Sequence, residues 1–215
     1  MFDELVFGIC WYDDASIYRL LSSLPREAKK IVVDGKFEYN PSENLLSQWE
    51  MREYIKSFPN VELIDAPNLP EPEKRNKYLE NDYKYLFIID SDEYIVTADW
   101  ERFFKFVDNL KEGVHDIFFE VDEEGGIASY PRLWIYPKDY RYVLCHNIWT
   151  DRRRGIVYKS GNTDGVQIPA VLCGMNDSLR TEKYLSNVVE YQTKMMAFEK
   201  SYRQKYREGK LEDFI

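Results

Sequence analysis

The first ninety residues alternate between short apolar runs and stretches whose apolar positions recur every three or four residues. "LVFGIC" (5–10) reads as a buried strand. After it, Asp14 can cap a helix with Ile17, Leu20, Leu21 and Leu24 on one face, until Pro25 stops it. "KIVVDG" (30–35) is a second strand, closed by Asp34 and Gly35. "NPSENLLSQWEMREYIKSFP" (40–59) predicts a helix with Asn40 as cap, Pro41 in the first helical position and Glu43 in the third. Met51, Tyr54, Ile55 and Phe58 form its apolar face. "VELIDAP" (61–67) is a third strand, "EPEKRNKYLEN" (71–81) a helix opened by Pro72, and "YLFIID" (85–90) a fourth strand.

Near-continuous apolar strands alternating with helices imply an α/β fold, with a mostly parallel central sheet covered on both faces. Right-handed crossovers then put the ends of these strands on one edge, where such sheets bind ligands. Asp34 and the cluster Asp90, Asp92 and Glu93 should share that rim.

The second half reads differently. A helix over about 99–110 precedes the strand "HDIFFEV" (115–121). "IASYPRLWIY" (127–136) and "YRYVLCHNIW" (140–149) are expected to pair as antiparallel strands joined around "PKDY" (137–140). "GIVYKSGNTDGVQIPAVLCGMND" (155–177) reads as a loop-rich flap. From Arg180 onward one long helix is expected; its excess of Lys and Arg with interleaved aromatics offers peripheral contact with an anionic membrane surface, but packing on the domain or on another copy of the chain in a homo-oligomer is the preferred reading. The expected division is a domain over 1–178, with halves 1–98 and 99–178, and a helical extension over 179–215.

Hydrophobic residues make up 44% of the 215, enough for a sizeable core. A net charge of −9 argues against a general nucleic-acid binder, and an anionic substrate would need a local positive pocket or a metal. Three scattered cysteines, Cys10, Cys145 and Cys173, suggest buried thiols in a reducing compartment. With no basic leader before the first apolar run and no apolar stretch of membrane-spanning length, a soluble, cytoplasmic protein without a transmembrane segment is expected.

Asp90 and Asp92, two residues apart, can project side by side. Two such carboxylates do not both stay ionised unless a cation shares them. Hard oxygen ligands select Mg²⁺ or Mn²⁺. Glu71-Pro-Glu73 and Glu120-Val-Asp122 have the same spacing, so what distinguishes Asp90-Ser-Asp92 is its place at the end of an apolar strand. His115, at the start of a strand, reads as structural, and "DRRRG" (151–155) as a solvated loop.

These motifs resemble the nucleotide-sugar-binding half of GT-A fold glycosyltransferases, most closely the family-2 type. The likeness spans roughly residues 5 to 150 and rests on motifs specific only in combination. It implies that Asp90 and Asp92, in "DSDEYI", hold a Mn²⁺ or Mg²⁺ ion on the diphosphate of a UDP- or GDP-sugar. Asp34, at the end of the second strand, would lie near the donor's base, and Arg75 and Asn76 in "EKRNKYL" would also face the donor. "PRLWIYPKDYRYVLCHN" resembles a downstream motif of one subgroup, which makes Arg132 a donor-binding residue and His146 a metal ligand. Asn147 stands where that subgroup has Glu, and "DGKFEYN" departs from the usual sequel to the second strand.

A base for an inverting mechanism would come from the acids of "VDEEGG", with Asp122 and Glu124 as candidates; a retaining mechanism needs none. The resemblance thus implies a metal-dependent transfer of sugar from a nucleoside diphosphate to a glycan, protein or lipid acceptor. Two alternatives stand beside it. An apolar strand ending in Asp-x-Asp also opens haloacid-dehalogenase-like phosphohydrolases, although Tyr94 departs from their pattern. A non-catalytic module that keeps the fold for sugar-nucleotide binding is the other.

Overall fold

A computed structural model describes residues 1–37, 42–120, 126–145, 148–154, 156–159 and 165–175. The first four strands are β1 (Leu5–Trp11), β2 (Lys29–Asp34), β3 (Val61–Asp65) and β4 (Tyr85–Ile88). Helices α1 (Ile17–Ser23), α2 (Trp49–Lys56) and α3 (Glu71–Lys77) connect them. There follow β5 (Glu93–Ala98), α4 (Trp100–Val107), β6 (Gly113–Glu120), β7 (Ile127–Ile135), β8 (Tyr140–Cys145), β9 (Ile148–Asp151), β10 (Ile156–Lys159) and β11 (Gln167–Met175).

The main sheet has eight strands in the order β3-β2-β1-β4-β7-β6-β11-β5. β1, β2, β3 and β4 run parallel. β7 runs against β4 and β6, while β11 is parallel to β6 and antiparallel to β5. Six strands therefore share one direction, as expected for an α/β sheet that is mostly parallel. A second sheet has the order β10-β9-β8.

Period-two alternation divides the core between the two faces of the main sheet. Leu5, Phe7, Ile9 and Trp11 of β1 and Tyr85 and Phe87 of β4 pack with Ile17, Leu20 and Leu21 of α1 and Phe103, Phe104 and Val107 of α4. Val6, Cys10, Leu86, Ile88 and Trp134 face the other way. They meet Tyr78 and Leu79 from the end of α3 and Tyr140, Tyr142 and Trp149 of the small sheet. One face is thus covered by helices, the other by α3 and a second sheet.

Three expectations are corrected. The helix predicted from Pro41 begins at Trp49. Ahead of it the backbone is claimed by side chains: the Ser47 N–H bonds to Asp34, and the Gln48 N–H donates to Asp13 at 2.7 Å. Second, β7 and β8 do not pair. Both edges of β7 are taken by β4 and β6, and Tyr136, in a left-handed conformation (φ 53°), with the turn at Pro137–Asp139, carries the chain out into the second sheet. Third, much of the stretch expected to be a loop is strand, and β11 runs inside the main sheet. Pro169 cannot donate to a ladder, and the pairing of β11 with β6 shifts register between Ile168 and Leu172, around it. The strand β5 was not anticipated. The extension over 179–215 lies outside the described residues.

Candidate functional site

Asp90 lies two residues beyond β4, on the edge where β1, β2 and β4 also end. Asp34 closes β2 on the same edge, so the shared rim is borne out by the topology. A tight turn fixes the acidic cluster. The Glu93 N–H donates to the Asp90 carbonyl at 3.0 Å, and the Asp90 N–H donates to Glu93 Oε2 at 2.8 Å. The Ser91 hydroxyl donates to Asp14 Oδ2 at 3.0 Å, tying the turn to the start of α1.

The positive partners of these acids are two arginines. Arg75 Nη2 lies 2.8 Å from Asp90 Oδ1, and Arg132 Nη2 lies 3.0 Å from Asp90 Oδ2. Arg75 also bonds through Nε to Glu71 Oε1 at 2.9 Å, and Arg132 pairs with Glu93. The result is an alternating chain of charge, Glu71–Arg75–Asp90–Arg132–Glu93, drawn from α3, the end of β4, β7 and β5. The Arg75 and Arg132 side chains are 6% and 12% exposed, and Glu93 is 2% exposed. Such burial is sustained because each charge meets an opposite one with hydrogen-bond geometry.

Electrostatics follow from that burial. Burial pushes the Glu93 carboxyl up; the paired Arg132 guanidinium opposes the shift, and Asp90 and Asp92 add to it. For Arg75, burial works against the charge, but Asp90, Tyr78 and Glu71 outweigh it and hold the guanidinium firmly protonated. Arg132 is likewise raised, with burial opposed by Glu93 and Asp90.

The other predicted donor-binding residues are placed as follows. Asp34 is fully buried, accepts from the Ser47 hydroxyl at 2.6 Å, and pairs with Arg52. Burial raises its pKa, with the bonds from Ser47 and Arg52 opposing. Asn76 is turned away from Asp90: its Nδ2 donates to the Tyr142 carbonyl at 2.9 Å, and its Oδ1 accepts the Tyr142 N–H at 2.8 Å. Asn76 thus clamps α3 to the small sheet, while its neighbour Arg75 reaches the acidic turn. Asp92 is half-buried beside Glu93. His146, Asp122 and Glu124 lie outside the described residues. Among the described residues, no group of three His, Cys, Asp or Glu side chains converges as a metal cage.

Sequence reasoning missed the role of Glu93 as partner of Arg132, although it counted Glu93 in the acidic cluster. It also missed Arg52, which bridges Asp34 and Asp65 from α2. The available signal was a run of three acids facing two arginines on neighbouring elements.

On the opposite edge, where β6 begins, a cavity of about 230 Å³ is lined by Val114, His115, Tyr140, Trp149, Arg154 and Tyr158, among others. His115 is structural, as expected: Nδ1 accepts the Val166 N–H at 3.3 Å, Nε2 lies 3.0 Å from the Lys111 carbonyl, and burial lowers its pKa. No described helix is long and apolar enough to cross a membrane.

No protein-family profile matches the chain, and no curated protein matches it. Among solved structures, S. aureus TarS is similar with a TM-score of 0.40 and 17% identity, over 55% of this chain and 22% of that one. TarS 1–349 in complex with UDP-GlcNAc gives 0.40 and 18%, over 55% and 34%. TarS 1–349 in complex with UDP gives 0.39 and 18%, over 55% and 36%. The match spans well under half the length of each of these chains.

Proposed function

We propose that the edge carrying Asp90 binds a nucleoside-diphosphate sugar and transfers its sugar to an acceptor, as a GT-A-type glycosyltransferase. The observation that supports this most is the convergence of Arg75 and Arg132 on Asp90 at the carboxyl edge of the parallel strands. Two guanidinium groups beside hard oxygen donors suit a diphosphate and a divalent cation.

The donor set fits Mn²⁺ or Mg²⁺. Both are oxygen-seeking ions that take one or two carboxylates and leave their other positions to water and phosphate. Asp90 and Asp92 would hold the ion, with His146 as a further ligand. Each Asp90 oxygen already accepts from an arginine but keeps a second lone pair. When bound, the ion supplies Lewis acidity to the departing diphosphate. The chain's own part is to fix the carboxylates through the Asp90–Glu93 turn and to present arginines where negative charge builds up. Asp122 and Glu124 stay candidates for the base that would activate an acceptor.

A second reading is sugar-nucleotide binding without a metal. It is favoured by the occupation of both Asp90 oxygens by guanidinium groups, which neutralise the acid without an ion.

Thermal melting with a panel of UDP- and GDP-sugars, with and without Mn²⁺, separates these readings. The expected result is stabilisation by at least one nucleotide sugar only when Mn²⁺ is present, abolished by Asp92→Asn. Equal stabilisation without Mn²⁺ would select the metal-free reading, and no stabilisation by any nucleotide would overturn both. Aryl phosphate hydrolysis that disappears in Asp90→Asn would instead mark a phosphohydrolase.

A further inference from the structure

The cavity at the start of β6 is walled by aromatic rings. Tyr140 and Trp149 line it at 2% and 1% exposure, and the rings of Trp149 and Tyr158 are near-parallel, tilted by 18° with centroids 6.4 Å apart. Most of its polar groups are already engaged. Both ring nitrogens of His115 are bonded to backbone, and Glu112 pairs with Arg153. Arg154 Nε lies 3.5 Å from Asp151 Oδ2, while Asp151 Oδ1 accepts the Arg153 and Arg154 N–H groups at 3.0 and 3.2 Å and fixes the turn that carries Arg154. Two groups differ. Among the described residues, neither the Tyr140 hydroxyl nor the Trp149 indole N–H has a hydrogen-bond partner. Buried Tyr and Trp polar atoms ordinarily find one. Both residues line the cavity, which is where a partner can enter.

Size and chemistry narrow what that partner is. The volume of about 230 Å³ falls below the roughly 300 Å³ at which pockets for drug-sized ligands begin, so it suits a single ring. The ring needs an apolar face for Trp149 and Tyr158, and oxygen atoms around its edge for the two free donors. A pyranose has both, with C–H bonds on its faces and hydroxyls at its rim. A hydrocarbon ring would leave both donors unmet, and a phosphate has no apolar face to stack.

We propose that this cavity binds one sugar ring of a glycan, stacked on Trp149 and Tyr158 and hydrogen-bonded by the Tyr140 hydroxyl and the Trp149 indole. The site lies on the sheet edge opposite Asp90 and goes beyond the donor reading, since it does not require the chain to be a transferase. In a transferase it would hold the acceptor glycan at a point away from the chemistry.

The test is saturation-transfer NMR of the full chain with methyl glycosides of glucose, galactose, mannose and N-acetylglucosamine, each at about 10 mM, because a single ring binds weakly. At least one glycoside is expected to receive saturation, and to shift one indole N–H signal of the ¹⁵N-labelled protein that Trp149→Phe removes. Tyr158→Ala, which truncates a half-buried ring, should abolish the transfer. Tyr140→Phe keeps the packing and removes only the hydroxyl, and should weaken binding about fivefold. UDP with Mg²⁺ should leave the transfer intact.

No transfer to any of the four glycosides overturns the inference. So does transfer that UDP with Mg²⁺ abolishes, which would put the sugar at the Asp90 edge instead. If Tyr158→Ala does not fold, Tyr140→Phe decides, since wild-type affinity in that variant also overturns the proposal. None of these outcomes bears on the donor reading, which UDP-sugar melting tests separately.

Discussion

Asn76 meets the peptide of Tyr142 with both ends of its amide, donating to the carbonyl and accepting from the N–H as a neighbouring strand would. One side chain thus ties α3 to the small sheet. Asn76→Asp keeps the shape but turns a donor into an acceptor facing the Tyr142 carbonyl. The expected loss is about 1–3 kcal/mol in urea unfolding, with faster hydrogen exchange at the Tyr142 amide than in the parent. An unchanged exchange rate would mean that the clamp carries no strain.

Gly8, in the middle of β1, faces Tyr78 at the end of α3. A Cβ built there would lie 2.7 Å from Cγ of Tyr78, whose ring is buried. The Tyr78 hydroxyl accepts from Arg75 Nη1 at 3.3 Å, so a displaced ring disturbs the arginine as well. Gly8→Ala is expected to cost about 1–3 kcal/mol of stability and to weaken nucleotide binding, both read from melting with and without ligand.

Asp90 and Asp92 share a motif but not a role. Asp90 joins two buried arginines, and Asp90→Asn removes the charge they share, leaving Arg75 to Glu71 and Arg132 to Glu93 alone. Urea unfolding should register a loss of about 3 kcal/mol or more. Asp92 stands beside Glu93 and adds to the repulsion there. Asp92→Asn is expected to change stability by less than about 1 kcal/mol while removing the response to Mn²⁺.

Lys30 is buried at 2% exposure, with Nζ donating to the carbonyls of Arg26 at 3.1 Å and Pro59 at 3.2 Å. Burial lowers its pKa from 10.5 to about 8, with Glu27 opposing and Arg26 adding. The folded chain therefore releases this proton before the unfolded chain does. The penalty is present in full below pH 8 and is relieved between pH 8 and 10.5. Measured against Lys30→Met, the wild type should gain stability over that window, with a slope of up to about 1.4 kcal/mol per pH unit. A pH-independent difference between the two would place the ammonium in water.

The parallel half of the sheet was legible chiefly through its central strands, which are buried on both faces and read as unbroken apolar runs. Leu5–Trp11 and Tyr85–Ile88 carry that signal plainly. β5 and β11 were not legible. Glu93 opens β5 with a charge, and Pro169 interrupts β11, so neither resembles a sheet strand locally; their pairing with each other makes them strands. At the site, the spacing of Asp90 and Asp92 was visible, but the arginine bridges join residues 15 and 42 positions apart in sequence. No local pattern records that Asn76 would turn to Tyr142 while Arg75 turned to Asp90.

The position of β11 governs when the acidic turn can mature. In its pairing with β5, Met175 stands opposite Glu93, so this edge of the sheet closes only after a segment made some eighty residues later has arrived. During synthesis the β1–β4 half can assemble early, with Asp90 and Arg75 already in reach of each other. Glu93 must wait. Pulse-labelling of a nascent chain should therefore find the first half of the sheet protected well before the turn that completes the charge ladder.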